Sequence, residues 1–367
     1  MPPGASSSPE RPFQLIRLAV ASDIHYAGPI EQARGEDVDV RRIPNFFQRE
    51  VLRLWRYLFW MRHPLANNAL LTTFLVQARQ QGCTHAVVNG DYAADTASMG
   101  LSDVGTRESA RLCLEQLRAA FGSRLRLVLG DHELGKLSFF GHYGGLRLES
   151  WHRARQEFCL EPVWLWDLGA YRLVGVTSTL LALPVFQRDL LPNERSEWER
   201  LRHEHLTQVA QIFAETGAGQ RLILFCHDPT ALPFLATLPE VQAQLARLEL
   251  TVIGHLHSPL ILWKSRLLSG MPRLCRFGIS VERMSTALQQ ARIWHNFRVR
   301  LCPSLAGIQL ERGGGWVLLE LDPSGQSPCH WHLFPLRRPR EKARVGQAHV
   351  AGLQFPDSPG SSANKLV

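Results

Sequence analysis

The sequence predicts an α/β fold, because short apolar runs alternate along the chain with stretches of helical periodicity. Five of the apolar runs end in aspartate or histidine, which is typical of strands whose carboxyl ends carry a functional site. Helical stretches at residues 69–80, 106–120 and 193–214 separate them. No linker is evident within residues 13–336, so we expect one large domain.

The elements follow in order along the chain. Each of the five runs is predicted to be a buried strand with polar residues at its carboxyl end: 15–21 before Asp23 and His25, 84–89 before Asp91, 124–129 before Asp131, His132 and Glu133, 221–226 before His227, and 248–253 before His255 and His257. Residues 171–177 and 316–321 are predicted to be further strands. Residues 281–300 are compatible with a structural helix and an edge strand, or with part of a substrate wall.

Composition restricts the class of protein. The chain has 367 residues, 45% of them hydrophobic, and a net charge of +8. Its seven cysteines include no C-x-x-C pair, so we expect a reducing compartment rather than a disulfide framework. The first residues lack the apolar segment of a secretory signal, and no apolar run is long enough to span a membrane. We expect a cytoplasmic protein with a disordered leader at 1–12 and a basic, then Gly/Ser-rich disordered tail at 337–367.

The polar residues at the strand ends suggest a metal site. Strand carboxyl ends meet at one edge of an α/β fold, so these aspartates and histidines can converge. Carboxylate oxygen and imidazole nitrogen together suit Mn, Fe or Zn better than Ca or Mg. The number of groups exceeds what one tetrahedral ion needs, and we therefore expect two divalent ions.

The ordered blocks resemble those of the calcineurin-like metallophosphoesterases. The family pattern D-x-H, G-D, G-N-H-E/D, a lone His and G-H-x-H stands here as residues 23–25, 90–91, 130–133, 227 and 254–257. All five blocks occur in order over about residues 15–260. The resemblance implies the family's fold, two facing β-sheets flanked by helices, and its reaction, hydrolysis of a phosphoester or pyrophosphate bond by metal-bound hydroxide.

The resemblance also implies a role for each matching residue. Two sets of metal ligands are implied, with Asp91 shared between them: Asp23, His25, Asp91 and His257 for the first ion, and Asp91, Asp131, His227 and His255 for the second. His132 would be the catalytic histidine that stabilises the transition state or protonates the leaving oxygen. Glu133 would orient His132 or a ligand.

This sequence departs from the family pattern at two positions. Asp131 replaces the usual Asn ligand, so the three carboxylates leave two divalent ions with one net positive charge instead of two. We expect tighter metal binding and weaker polarisation of the substrate. The family's G-D-x-x-D is also longer by one residue here, so Asp95 receives no assigned role.

An insertion at residues 26–68 carries a basic, aromatic, amphipathic segment. This segment covers residues 46–62. If it belongs to a helix that begins at Pro44, Trp55 lies on an apolar face, and Arg49, Arg53 and Arg56 lie on a different, basic face. This segment is either a helix packed on its own domain or an interfacial lid for a lipid that bears phosphate. In the second alternative, the position and character of the insertion are loosely similar to those of an insertion in the UDP-diacylglucosamine pyrophosphohydrolases of the family.

The predicted function is therefore hydrolysis of a phosphorylated small molecule or a lipid-linked or nucleotide-linked substrate, with peripheral contact at the inner face of the membrane as one option. Nucleic acid is a less favoured substrate, since no recognisable nucleic-acid-binding signature accompanies the basic residues. A non-catalytic metal-binding scaffold is the alternative outside the enzymes. The sequence does not indicate the oligomeric state.

Overall fold

The structure is a computed structural model that describes residues 15–137, 140, 143–276, 278–311 and 314–337. The predicted leader at 1–12 and, apart from Arg337, the predicted tail at 337–367 lie outside the described residues. That part of the chain contains ten β-strands and thirteen α-helices, and helices separate the five strands that precede the predicted polar residues.

The strands form two mixed sheets of five strands each. In the first sheet the order is β10-β9-β1-β2-β3, with β1, β2 and β3 parallel and β9 antiparallel to both its neighbours. In the second sheet the order is β4-β5-β6-β7-β8, with only β4 antiparallel. The strands are β1 (Ile16–Ala21), β2 (His85–Val88), β3 (Leu125–Leu127), β4 (Val163–Leu168), β5 (Tyr171–Val176), β6 (Arg221–Cys226), β7 (Leu248–Ile253), β8 (Val299–Leu301), β9 (Gly314–Leu321) and β10 (His330–Leu336).

The two sheets face each other across a shared apolar core. Alternate residues of each strand point to this core, as the two-residue period of a strand requires. One cluster contains side chains from both sheets: Leu18 and Val20 of β1, Val317 and Leu319 of β9, Ile223 and Phe225 of β6, and Leu250 and Val252 of β7.

Helices cover the outer faces of the sheets. The intervening residues of the same strands, such as Ala19 of β1 and Leu224 of β6, join Phe74, Leu117 and Trp198 from three helices in a second, larger cluster. The helices are α1 (Pro29–Arg34), α2 (Val38–Arg41), α3 (Phe46–Leu58), α4 (Asn68–Gln80), α5 (Val104–Phe121), α6 (Asp131–Leu134), α7 (Leu148–Gln156), α8 (Ser178–Leu181), α9 (Arg195–Ala214), α10 (Leu232–Leu235), α11 (Pro239–Gln244), α12 (Pro259–Leu267) and α13 (Ile279–Gln289). The predicted fold class, two facing sheets flanked by helices, is confirmed.

Some elements differ from the sequence prediction in their bounds. Helix α3 begins at Phe46 rather than at Pro44, because the Asn45 side chain accepts a hydrogen bond from the Gln48 backbone amide and caps the helix. After α13, Trp294 and Phe297 are buried in the core, and β8 is an edge strand, as the first of the two alternatives for 281–300 proposed. No helix in the described part of the chain combines the length and apolar character needed to cross a bilayer.

Candidate metal centre

The loops that follow the strands hold the predicted ligands in an uncommon backbone conformation. Non-glycine residues rarely adopt positive φ angles, and such angles cluster at functional sites. Five of the seven predicted metal ligands have them: Asp23 (50°), His25 (51°), Asp91 (58°), His255 (55°) and His257 (58°). The surrounding fold therefore imposes a costly conformation at these positions.

Backbone hydrogen bonds hold these loops together at the strand ends. In the loop after β2, the Gly90 carbonyl accepts from the Asp23 amide and the Asp91 carbonyl accepts from the His25 amide, both at 3.1 Å. The His255 amide donates to the Asp23 carboxylate at 3.1 Å and so connects the second sheet to the first. The strand ends therefore converge in the structure, as the sequence predicts.

A first group of donor atoms comes from Asp23, His25 and His257, whose ligand atoms all lie within 4.8 Å of one another. The His257 Nε2 atom is 3.2 Å from Asp23 Oδ1 and 3.2 Å from His25 Nε2. The His25 Nδ1 atom faces the carbonyl of Ala93 at 3.2 Å. If Nδ1 carries the proton and donates to that carbonyl, the lone pair of Nε2 points into the group, which is the usual arrangement of a metal-binding histidine.

A second group contains Asp91, Asp131, His227 and His255, again within 4.8 Å. The His227 Nε2 atom lies 3.1 Å from Asp91 Oδ2 and 3.1 Å from Asp131 Oδ1, and His255 Nδ1 lies 3.0 Å from the same Asp131 oxygen. The His227 Nδ1 atom lies 2.6 Å from the carbonyl of Asn89, so it can donate there and leave Nε2 as a ligand.

The donor set fits two divalent ions. Two buried polar atoms of the ligand residues, Asp91 Oδ2 and His257 Nδ1, make no hydrogen bond, although buried polar atoms nearly always have a partner. Burial opposes the charge on Asp131, but His255 and Lys136 outweigh it and lower the pKa of that carboxyl well below its usual range. Buried, ionised carboxylates beside imidazole nitrogens make a site that attracts cations. The shared role of Asp91 stays a prediction, since its oxygens belong to the second group alone.

His132 lies beside both groups and is fully buried. Its Nε2 atom is 3.8 Å from Asp91 Oδ2 and 3.2 Å from the ammonium of Lys136, while its Nδ1 faces the Ala94 carbonyl at 3.2 Å. Burial lowers the pKa of His132 and so favours the neutral imidazole. A neutral histidine with a fixed ring beside the metal ligands can accept or relay a proton.

Glu133 holds the ligand loops by their backbone. Its carboxylate accepts hydrogen bonds from the amides of Asp91 (3.0 Å), Tyr92 (2.7 Å) and Gly130 (2.9 Å). Gly130 is needed at this point because a Cβ atom there would overlap the Asp91 carboxylate. Glu133 therefore orients Asp91, one of the two alternatives implied by the resemblance.

Three residues at the site lacked an assignment from the sequence. Asp95 forms a third group with His25 and His132. Trp60 donates from Nε1 to Asp95 Oδ1 at 3.3 Å, and its ring lies 4.3 Å from that of His257. Lys136 also lies 3.9 Å from Asp131 Oδ2. The longer spacing in the Asp91–Asp95 block was the one sequence signal for this set, and nothing in the sequence pointed to Trp60 or Lys136.

The insertion lies directly beside the metal centre. Trp55 stacks on Trp60 with ring centroids 5.2 Å apart. Arg56 is mostly buried and lies between Asp39 (3.4 Å) and Asp95 (3.8 Å), so it connects the insertion to the site.

The other two predicted arginines lie farther along α3. Arg53 pairs with Glu50 and Asp37 on the exposed side. Arg49 lies 5.9 Å from the ring centre of Phe46. Their predicted contact with substrate or membrane stays a prediction.

Comparison with protein-family models and with curated proteins finds no match. Among solved structures, the chain is similar to a dimetal phosphatase from Danio rerio, with 12% identity, a TM-score of 0.48, and coverage of 88% of this chain and 99% of that one. It is also similar to the phosphopantetheinyl hydrolase of Mycobacterium tuberculosis, with 14% identity, a TM-score of 0.31, and coverage of 67% and 84%. Identities and TM-scores this low leave the function to be inferred from the chain's own geometry. Two facing sheets with all five blocks at the strand ends are the arrangement that the resemblance implied.

Proposed function

We propose that this protein is a dinuclear metal-dependent phosphoesterase that hydrolyses a phosphoester or pyrophosphate bond. The observation that carries the proposal is the pair of adjacent donor groups, three ligands in one and four in the other, with His132 beside both. Two bound ions would supply an activated water and neutralise charge on the phosphoryl oxygens.

The chain's own residues supply the rest of the chemistry. The seven ligands would hold the ions, and the surrounding fold keeps five of them in a strained backbone conformation before substrate arrives. His132 faces the space beside Asp91, where its Nε2 can take up a proton and, once protonated, donate to a phosphoryl oxygen or to the leaving oxygen. Glu133 and the Asn89 carbonyl keep Asp91 and His227 in the orientation that binding requires.

The reaction class is tested by metal removal and return. Protein freed of metal by a chelator is expected to lose hydrolysis of p-nitrophenyl phosphate and bis(p-nitrophenyl) phosphate, and to regain it with Mn, Fe or Zn. The ratio of the two activities distinguishes a monoesterase from a diesterase. Metal binding without turnover of these esters, UDP-linked lipids or nucleotides would favour the scaffold alternative, and cleavage of oligonucleotides alone would favour a nuclease.

We further propose that the substrate is lipid-linked and that the protein meets it at the inner face of a membrane, with helix α3 in contact with anionic lipid. Seven large apolar side chains at or next to α3 are exposed: Phe46, Phe47, Val51, Leu54, Tyr57, Leu58 and Phe59. A surface this apolar on one short helix is unusual for a monomeric soluble protein. The alternative of a helix packed on its own domain leaves these residues unexplained, since they are the ones that packing would bury.

Charge and position favour a lipid surface as the occupant. Arginines accompany the apolar residues: the guanidinium of Arg62 lies 3.7 Å from the ring centre of Tyr57, and Arg41 and Arg42 are exposed nearby in the sequence. Aromatic and apolar side chains enter the headgroup boundary while arginine meets lipid phosphate. Trp60, directly after this helix, lies against His257, so a lipid held at α3 would be close to the metal centre.

Vesicle co-sedimentation tests this contact. Wild-type protein is expected to sediment with vesicles of phosphatidylglycerol and phosphatidylcholine, and a Phe47→Ser, Val51→Ser, Leu54→Ser variant to bind at least about tenfold more weakly. The control replaces three exposed apolar residues elsewhere, Val76→Ser, Val104→Ser and Leu333→Ser, and should bind as wild type does. Equal binding by both variants, or a lipid-free dimer by light scattering that only the α3 variant abolishes, would contradict the membrane contact.

A further inference from the structure

Lys136 brings a positive charge into a site otherwise made of acids and histidines. It lies just after α6, and its ammonium is 3.2 Å from His132 Nε2 and 3.9 Å from Asp131 Oδ2. The side chain keeps 28% of its surface exposed, so it reaches both the buried ligands and the open side of the site. Lysine is rare in this chain, with four among 41 basic residues, and the other described one, Lys264, is exposed on α12.

The position of this ammonium coincides with the site's excess negative charge. Asp131 is the carboxylate that stands where the resembled family has an amide. It adds one negative charge to the metal centre, and Lys136, five residues later, adds one positive charge beside the same side chain. The two charges cancel. The net charge of the centre is therefore the same as it would be with an amide at position 131 and no lysine at position 136.

The direction of the Lys136 donors suggests a second role. An ammonium has three N–H donors. One points to His132 Nε2 and one side faces Asp131, so at least one donor is available to a group that enters beside His132. A phosphoryl oxygen is the acceptor that the proposed reaction brings there, and lysine binds phosphate as a compact point charge.

We propose that Lys136 and Asp131 form a compensating charge pair, in which Lys136 offsets the additional carboxylate and donates to a phosphoryl oxygen of the substrate next to His132. This inference rests on the proposed function, because it assumes that the site binds divalent ions and phosphate. Lys136 thereby restores the substrate polarisation that the Asp131 carboxylate alone would reduce.

The test is a double-mutant cycle read by calorimetry, with Mn²⁺ alone and then with inorganic phosphate on the manganese-loaded protein. Asp131→Asn is expected to weaken Mn²⁺ binding, and Lys136→Gln to strengthen it severalfold because a nearby cation is gone. The double variant, which has lost one negative and one positive charge, should return to within about threefold of wild type. Phosphate should bind about tenfold more weakly to Lys136→Gln.

Two further variants separate charge from structure. Lys136→Arg keeps the positive charge and should keep the wild-type Mn²⁺ affinity, whereas Lys264→Gln should change neither measurement. Thermal unfolding of each variant shows whether it folds. Weaker Mn²⁺ binding by Lys136→Gln, unchanged phosphate binding, or a double variant that binds Mn²⁺ no more tightly than Asp131→Asn would overturn the charge pair while leaving the proposed hydrolase intact. Failure of the wild type to bind Mn²⁺, Fe²⁺ or Zn²⁺ would overturn both.

Discussion

The metal-ligand loops and helix α3 are neighbours at Trp60, yet they distribute polar and apolar groups in opposite ways. In the loops, six of the seven predicted ligands are buried, and five of the seven have a strained backbone conformation. Helix α3 exposes its apolar side chains and is held mainly by Leu52, Trp55 and Arg56. The strained backbone costs stability and the exposed apolar face is an aggregation liability, and each is explained by a different kind of binding partner.

The comparison separates reaction class from substrate choice. Convergent donor atoms define what chemistry is available at a site, because metal geometry tolerates few alternatives. An exposed apolar helix defines only what kind of surface the protein meets. The first region can therefore be tested by removing single atoms, and the second by changing a whole face.

The largest effect is expected at Asp91, the predicted shared ligand. Asp91→Asn removes a charge from the buried group and is expected to lower activity by at least about a hundredfold, with loss of one or both ions in elemental analysis. An exposed carboxylate changed in the same way, Asp167→Asn, serves as the control. Full metal content in the Asp91 variant would show that this carboxylate is not a ligand.

The next effect tests whether the backbone clamp matters as much as the ligands. Glu133→Gln replaces a carboxylate that accepts three backbone hydrogen bonds with an amide whose NH₂ must face an N–H donor. Metal affinity is expected to fall about tenfold to a hundredfold, as for other groups that orient ligands. Glu199→Gln, at an exposed position, should leave the affinity unchanged. A normal Kd for metal in Glu133→Gln would mean that the strained loops hold themselves.

The sequence predicted the strand ends well because the signal there is local. Asp23, Asp91 and His227 each follow an apolar run directly, so strand register alone brings them to one edge. The alternation of strands and helices predicted the fold class for the same reason. Strands β4 and β10 were not predicted: Trp164 and Trp166 lie in a run that turn signals do not bound clearly, and β10 carries a proline at Pro335.

The contacts of Trp60, Asp95 and Lys136 could not be predicted from the sequence. Trp60 reaches His257 across almost two hundred residues, and this contact depends on how the insertion folds back on the site. Lys136 follows the last turn of a four-residue helix, where no periodicity fixes the direction of its side chain. Exposure of the α3 face was likewise open, because an amphipathic pattern does not say which face the rest of the chain will cover.

A pH effect tests how firmly the insertion is docked. Glu31 of α1 is buried against α5, where the Ser109 hydroxyl donates to it, and burial raises its pKa to about 7. Since the folded state then holds a proton that the unfolded state releases near pH 4.5, stability should fall as pH rises from about 4.5 to 7, by up to ~3 kcal/mol. Glu31→Gln should remove this part of the pH dependence of unfolding. Denaturant titrations at pH 5 and pH 8 measure the change in unfolding free energy between the two pH values. The same change in Glu31→Gln as in the wild type would show that the insertion opens before the rest of the protein unfolds.

The smallest effect contrasts the two faces of α3 itself. Phe47 is 77% exposed and Leu52 is 5% exposed, although both are large apolar residues of the same helix. Phe47→Ser should change the free energy of unfolding by no more than about 0.5 kcal/mol, whereas Leu52→Ala should cost about 2–4 kcal/mol because it leaves a cavity beside Val40 and Ile43. Chemical denaturation of the lipid-free protein measures both. A large loss of unfolding free energy in Phe47→Ser would mean that the apolar face is already covered in solution. That result would contradict the proposed membrane contact.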